Sequence, residues 1–250
     1  MTRLKRLLPR RLKDTVILWL LFSDRRSRKA FRNRHKHPGE PVPLKVRALG
    51  GRALWMRPKT EDGFVIRETF LSRDSLPPDG LQPRTILDVG ANIGATMALC
   101  AVTFPDAQIV GVEPHPDNAE MCRRNVPGLA VREAAAWPEP GTIKLAGVGG
   151  SATVAGQGLE VPARPLTELV DGAVDYLKLD VEGAERALLT RNTGWAGRVR
   201  CINVEVHEPY TAAECKRDLE ALGYTVTLRP GPRQPRVIGT RVDEVTLAPR

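Results

Sequence analysis

The chain has 250 residues, with 38 Lys/Arg against 29 Asp/Glu, a formal net charge of +9 and only 5% aromatic residues. That length suits one sizeable α/β core with an appendage and is short for two full domains. Cys100, Cys122, Cys201 and Cys215 form no C-x-x-C pair and no Cys/His cluster, which argues against a zinc or disulfide framework and for buried, reduced thiols in a cytoplasmic protein.

The charge is unevenly placed. Residues 1–36 hold 13 Lys/Arg and 2 Asp/Glu, leaving 25 basic and 27 acidic residues for the rest. The basicity therefore belongs to an N-terminal arm, and a near-neutral body gives no ground for nucleic acid as the partner. Within the arm, Leu4, Leu7, Leu8 and Leu12 lead into the run Val16–Phe22, seven apolar residues, where a membrane span needs about 20. A secretory signal would need small residues where SDRRSRK (Ser23–Lys29) stands. Residues 1–40 are expected to form a basic amphipathic arm that lies on an anionic membrane surface, the inner face of the membrane, or docks on an acidic partner. The alternative is that its apolar run packs on the protein's own body.

HPGEPVP (His37–Pro43) is a proline-rich break. The lead-in, residues 41–83, carries short strands at Leu44–Arg47 and Ala53–Met56 around Gly50-Gly51, a helix at Gly63–Leu71 and a loop at Ser75–Pro83. Residues 84–250 form the core, where strands and helices alternate. Strands are predicted at Thr85–Val89, Gln108–Glu113, Leu129–Glu133, Asp175–Leu179, Arg200–Val206, Tyr224–Leu228 and Val242–Leu247. Helices are predicted at Gly94–Val102, Asp117–Asn125, Leu166–Val170 and Gly183–Thr190. A weaker β region covers Thr142–Leu145 and Leu159–Val161. Thr211-Ala-Ala-Glu214 is a capping box for a last helix that ends near Leu222, with Gly223 placed to stop it. The pattern gives an α/β fold: a doubly wound, mostly parallel seven-stranded sheet, with its ligand beyond the carboxyl ends of the strands.

TILDVGANIGAT (Thr85–Thr96) is the first such strand end. A dinucleotide turn reads G-x-G-x-x-G, so that backbone can approach a pyrophosphate. Here Asn92 replaces the middle glycine between Gly90 and Gly94, and Asp88 adds a carboxylate that repels a diphosphate and accepts hydrogen bonds from an ammonium. Glu113, closing the second strand, suits the two hydroxyls of a ribose. An amino acid joined to adenosine through a sulfonium, S-adenosylmethionine, meets both requirements, whereas Asn92 and Asp88 disfavour an NAD(P) oxidoreductase.

ILDVGANIGATMAL, VGVEPHPDNAEMCRRN, REAAAW, YLKLDVEGAERALL and INVEVHE together resemble the FkbM-type family of S-adenosylmethionine-dependent methyltransferases, over about Val42 to Tyr224. Lys178-Leu-Asp180-Val-Glu182-Gly183-Ala-Glu185 is the most specific piece. The resemblance implies the class I methyltransferase (Rossmann-like) fold and O-methylation of a hydroxyl on a sugar, glycolipid or polyketide-type small molecule. It also implies that the methionine end of the cofactor falls at Asp88, Gly90, Asn92 and Gly94, the ribose at Glu113, and the adenine at Glu133, Ala134 and Ala135. Trp137 departs from the small residue expected near the adenine.

Methyl transfer to an alcohol requires a positioned hydroxyl and a proton acceptor. The candidates are Lys178, Asp180, Glu182, Glu205 and His207. Lys178 and Asp180 share one strand face, and an imidazole titrates near neutral pH. The expected arrangement has His207 as base, Glu205 or Glu182 orienting it, and Asp180 bridging cofactor and acceptor hydroxyl. Alternatively, His207 caps a strand end and Lys178–Asp180 is a buried ion pair. The carboxylates and His207 could hold Mg²⁺, but nothing in their spacing demands a metal and none is expected. Gly147–Gly158 and Phe64–Phe70 are expected to cover the acceptor, with Arg67 and Arg164 as possible contacts. An RNA methyltransferase and a non-enzymatic binding module are the competing functions; the first lacks an aromatic base-flipping motif, and the intact Asp88, Glu113 and Asp180 set argues against the second.

Overall fold

The computed structural model describes residues 10–36, 39–146, 153–154, 157–229 and 234–241. The chain divides into two units, Met1–Arg73 and Asp74–Arg250.

The first unit contains α1 (Arg10–Leu21), α2 (Arg25–Asn33), a hairpin of β1 (Val42–Lys45) and β2 (Ala53–Met56), and α3 (Asp62–Ser72). Asp24 separates the two helices because its carboxylate accepts from Ser27 N at 2.9 Å and caps α2. Leu18, Leu21, Phe22 and Phe31 are buried with Leu44, Leu54, Met56 and Ile66. One face of the expected arm thus packs inside its own unit, while Val16, Trp19 and Leu20 stay exposed. α1, α2, the hairpin and α3 each contribute buried side chains to this unit. No helix among the described residues is long and apolar enough to cross a membrane.

The second unit begins with β3 (Thr85–Val89), α4 (Ala95–Thr103), β4 (Gln108–Val112), α5 (Pro116–Asn125) and β5 (Ala130–Arg132). A small sheet follows, from β6 (Ala135–Ala136), β7 (Gly141–Ala146), β8 (Thr153–Val154) and β9 (Leu159–Arg164). The chain then re-enters the main sheet through α6 (Leu166–Leu169), β10 (Val174–Leu179), α7 (Glu185–Thr190), β11 (Val199–Glu205), α8 (Ala212–Ala221), β12 (Thr225–Arg229) and β13 (Arg236–Thr240). The seven strands lie in the order β12-β13-β11-β10-β3-β4-β5. From β11 to β5 all pairs are parallel; β13 runs antiparallel to both its neighbours.

The parallel strands are near-continuous apolar runs because helices cover both faces. Leu87, Val89, Val112, Leu177, Leu179, Ile202 and Val204 belong to one core cluster, joined by Trp195, Leu188 and Leu219 from the helical layers. Chain direction across the sheet switches at β3. From there it runs outward through β4 and β5, then returns to β10 on the other side, and this switch opens a crevice at the carboxyl ends of β3 and β10.

Among the described residues the last strand is Arg236–Thr240, close behind the proline-rich stretch, and the predicted strand Val242–Leu247 lies outside the described residues. The weaker β region belongs to the four-stranded side sheet. Most of the glycine-rich segment Gly147–Gly158, the expected cover, also lies outside the described residues. All four cysteines are free and buried.

Candidate active site

The turn after β3 consumes its own donors. Gly90 N and Ala91 N both donate to Val112 O, at 2.9 and 3.0 Å, and Gly94 N donates to Ala91 O at 2.8 Å. Asn92 N donates to Glu113 Oε2 at 2.8 Å, and Ile93 N to Asn92 Oδ1 at 2.8 Å. Every N–H from Gly90 to Gly94 therefore has a partner within the protein, and a phosphate-cradling turn needs the opposite. Asn92 takes the left-handed conformation (φ 50°) that asparagine tolerates, and its side chain stands where a dinucleotide turn keeps a glycine.

Glu113 is 5% exposed and also accepts from His115 N at 3.0 Å and Asn118 Nδ2 at 3.3 Å. Its carboxylate thus ties the turn to the start of α5. Burial pushes its pKa up, against the hydrogen bonds that favour the ion. Asp88 is 1% exposed, with Lys178 Nζ 3.0 Å from its Oδ1. Lys178 also donates to Gly90 O at 2.9 Å and lies 3.3 Å from Asp180 Oδ2. Burial works against this ammonium, but Asp88 and Asp180 more than offset it and its pKa is raised. Lys178, a predicted catalytic residue, is thus a buried clamp between β3 and β10. Asp88 and Glu113 shape the turn from behind and surround it with negative charge.

At the carboxyl ends of β10 and β11 the titratable groups converge. His207 Nδ1 lies 2.6 Å from Glu185 Oε1, and its Nε2 lies 3.5 Å from Glu182 Oε2 and 3.9 Å from Asp180 Oδ1. Glu185 is fully buried and also accepts from Gly183 N at 3.2 Å. The expected orienting groups were Glu205 or Glu182. The group that holds the ring is Glu185, because the first turn of α7 brings its carboxylate under the imidazole, whereas Glu205 is engaged by an ion pair with Arg236. Burial pulls the His207 pKa down, but the hydrogen bond and charge of Glu185, with Asp180 and Glu182, push it up to about 9. Burial, reinforced by the neighbouring carboxylates and opposed by His207, raises Glu182 to about 7. At neutral pH the imidazole is therefore protonated, and the group near half-ionisation is Glu182. Glu182 sits in the left-handed region (φ 50°) on the turn after β10, a conformation costing about 1 kcal/mol or more in a non-glycine residue.

One ligand atom each from Asp180, Glu205 and His207 falls within 4.8 Å of the others, a spacing that one cation could bridge. Two protein cations already stand there, Lys178 on Asp180 and Arg236 on Glu205.

The remaining predicted contacts are placed as follows. Ala134 and Ala135 are buried beyond β5, while Glu133 is exposed and pairs with Arg123 at 3.1 Å. Trp137 packs against the main core. Arg164 is an exposed residue 3.6 Å from Glu168 on the same segment. Sequence reasoning gave no role to Glu185, although it stands in the DVEGAE motif, nor to Arg236, which no motif marked.

The strand order and the switch-point crevice define a class I methyltransferase fold. The chain belongs to the family described as Methyltransferase FkbM domain, which matches residues 88–226, more than half of its length, and it is an S-adenosylmethionine-dependent methyltransferase. A turn with no N–H left for an anion, backed by Asp88 and Glu113, does not fit a diphosphate. A curated relative, the trans-aconitate 2-methyltransferase of Methylobacterium radiotolerans, is 39% identical over 57 residues, spanning 22% of this chain and 22% of the relative's length. Among solved structures, a precorrin-6y C5,15-methyltransferase from Geobacter metallireducens is 15% identical with a TM-score of 0.45, covering 65% of this chain and 82% of that one. An O-methyltransferase family protein from Burkholderia thailandensis is 12% identical with a TM-score of 0.47, covering 74% and 60%.

Proposed function

We propose that this enzyme methylates a hydroxyl oxygen of a small molecule of the sugar, glycolipid or polyketide type. The observation that carries the reading is the chain Glu182–His207–Glu185 at the ends of β10 and β11. A neutral amine attacks an activated methyl group without losing a proton first, whereas an alcohol gains greatly from a base. A carboxylate poised near pH 7 beside an imidazolium supplies that base.

Bound S-adenosylmethionine supplies an electrophilic methyl group with its leaving group already activated. In this reading the Gly90–Gly94 turn and Asp180 hold the cofactor's amino-acid end, and Ala134 and Ala135 line the path to its adenine. Glu182 accepts the hydroxyl proton. His207, held by Glu185, donates from Nε2 to the acceptor oxygen and stabilises the negative charge that develops there. Lys178 keeps β3 and β10 in register, so that cofactor and base stay aligned.

The test is the pH dependence of turnover with a hydroxylated acceptor. Activity should rise as pH passes through about 7, where Glu182 loses its proton, and fall above about 9, where His207 loses its own. Glu182→Gln should lower kcat by roughly 10²- to 10⁴-fold and remove the acidic limb, with little change in S-adenosylhomocysteine affinity. An unchanged profile in that variant would sink the assignment. The same assay with EDTA separates a metal-assisted reaction: turnover lost to the chelator and restored by Mg²⁺ would replace Glu182 as the means of ionising the hydroxyl.

A further inference from the structure

The first unit presents a surface that the chemistry of the active site does not use. On α1, Val16, Trp19 and Leu20 are 44%, 56% and 47% exposed. They follow the i, i+3, i+4 spacing of one helix face. Their neighbours toward the core, Leu18 and Leu21, are buried, so the outward face is apolar without belonging to the unit's interior. Beside it, α2 carries Arg25, Arg26, Arg28, Lys29 and Arg32 and no acidic residue. The two features touch, since the Arg28 guanidinium lies 3.8 Å over the Trp19 ring.

A cavity of about 580 Å³ in the same unit is lined by Asp14, Leu18 and Phe31 together with Arg32, Arg34 and Arg67. Arg34 is fixed in place by donating to Phe31 O at 2.8 Å and stacking on the Phe31 ring at 4.3 Å. Burial and the facing charge of Arg67 both lower its pKa, with Asp14 opposing them. Three guanidinium groups stand there against one carboxylate, but the cavity is lined by the Asp14/Leu18 side of α1, opposite the Val16, Trp19 and Leu20 stripe, and the docking surface does not include it.

We propose that this surface docks on an anionic phospholipid bilayer, with Val16, Trp19 and Leu20 entering the headgroup boundary and the α2 cations facing the lipid charge. Charge complementarity alone suits RNA or an acidic protein equally. The exposed aliphatic and indole stripe beside the cations selects the bilayer, because interfacial helices combine these two faces and tryptophan prefers the headgroup level. The concentration of basic residues in 1–36, against a nearly balanced remainder, places the attraction on this unit.

The test uses the full chain sedimented with vesicles of phosphatidylcholine, with and without phosphatidylglycerol, alongside fluorescence polarisation with a labelled RNA. Binding should require phosphatidylglycerol and weaken as salt is raised. Trp19→Ser/Leu20→Ser should reduce vesicle binding by about tenfold or more, through loss of apolar burial. Arg25→Glu/Arg26→Glu should abolish the preference for phosphatidylglycerol, an independent readout should the first variant melt early. S-adenosylhomocysteine affinity and the melting temperature serve as folding controls in both. Equal binding to both vesicle types, no binding to either, or vesicle binding indifferent to Trp19→Ser/Leu20→Ser would overturn the proposal. So would tight RNA binding that survives that variant while vesicles are ignored.

Discussion

Gly90 shows how a residue read as part of a ligand cradle is explained first by packing. Its φ is +82°, and a Cβ there would stand 1.8 Å from Asp180 O, so β10 passes too close for any side chain. Gly90→Ala should destabilise the protein by about 2–4 kcal/mol from backbone strain and overpacking together. A calorimetric melt should show it as a fall in Tm on the order of 5–15 °C; a Tm within a degree of the parent would refute the close approach. Gly94 is similar, since its Cβ would meet Cys122 Sγ at 2.8 Å. The sequence did mark Asp88, Asn92, Glu113, Asp180, Glu182 and His207 as one neighbourhood, because each ends or follows a strand. What it could not reveal is direction: Asp88 and Glu113 face inward, and the partner of His207 is the buried Glu185.

At the scale of elements, local signals were read well where local physics decides. Thr211 accepts from Glu214 N at 3.2 Å, and Glu214 Oε2 accepts from Thr211 N at 2.9 Å, the reciprocal pair that opens α8. Thr211→Ala should therefore cost about 1 kcal/mol, and thermal melts should register it as a drop of a few degrees. α8 carries Cys215 and Leu219 into the core, and that helps fix the end of β11 where His207 follows. β13 was not anticipated, for the opposite reason. Arg236–Thr240 holds the strand formers Val237, Ile238 and Thr240, but it is short, is interrupted by Gly239 and follows directly on a proline-rich stretch. It becomes a strand because β11 and β12 both offer it hydrogen bonds, and it delivers Arg236 to Glu205.

For the whole molecule, charge and ligand choice are separate matters. The overall charge of +9 says little about the cofactor, because the turn after β3 is ringed by carboxylates and its N–H groups are all engaged. Isothermal calorimetry on the full chain should give measurable heat with S-adenosylhomocysteine and none with NAD or NADP; a nicotinamide nucleotide binding as tightly would refute the reading of the turn. The alternation of apolar strands and helices was enough to determine a parallel doubly wound sheet, and Asn92 in place of a glycine beside Asp88, together with Glu113 at the second strand end, pointed to the class of cofactor. Both follow from short-range rules of periodicity, sterics and charge. Only the tertiary structure decided which carboxylate holds His207, which groups titrate near neutral pH, and which apolar residues of α1 turn outward. Those properties depend on burial and on distances between residues far apart in the chain, and desolvation is a property of the folded surroundings that no single stretch of sequence carries.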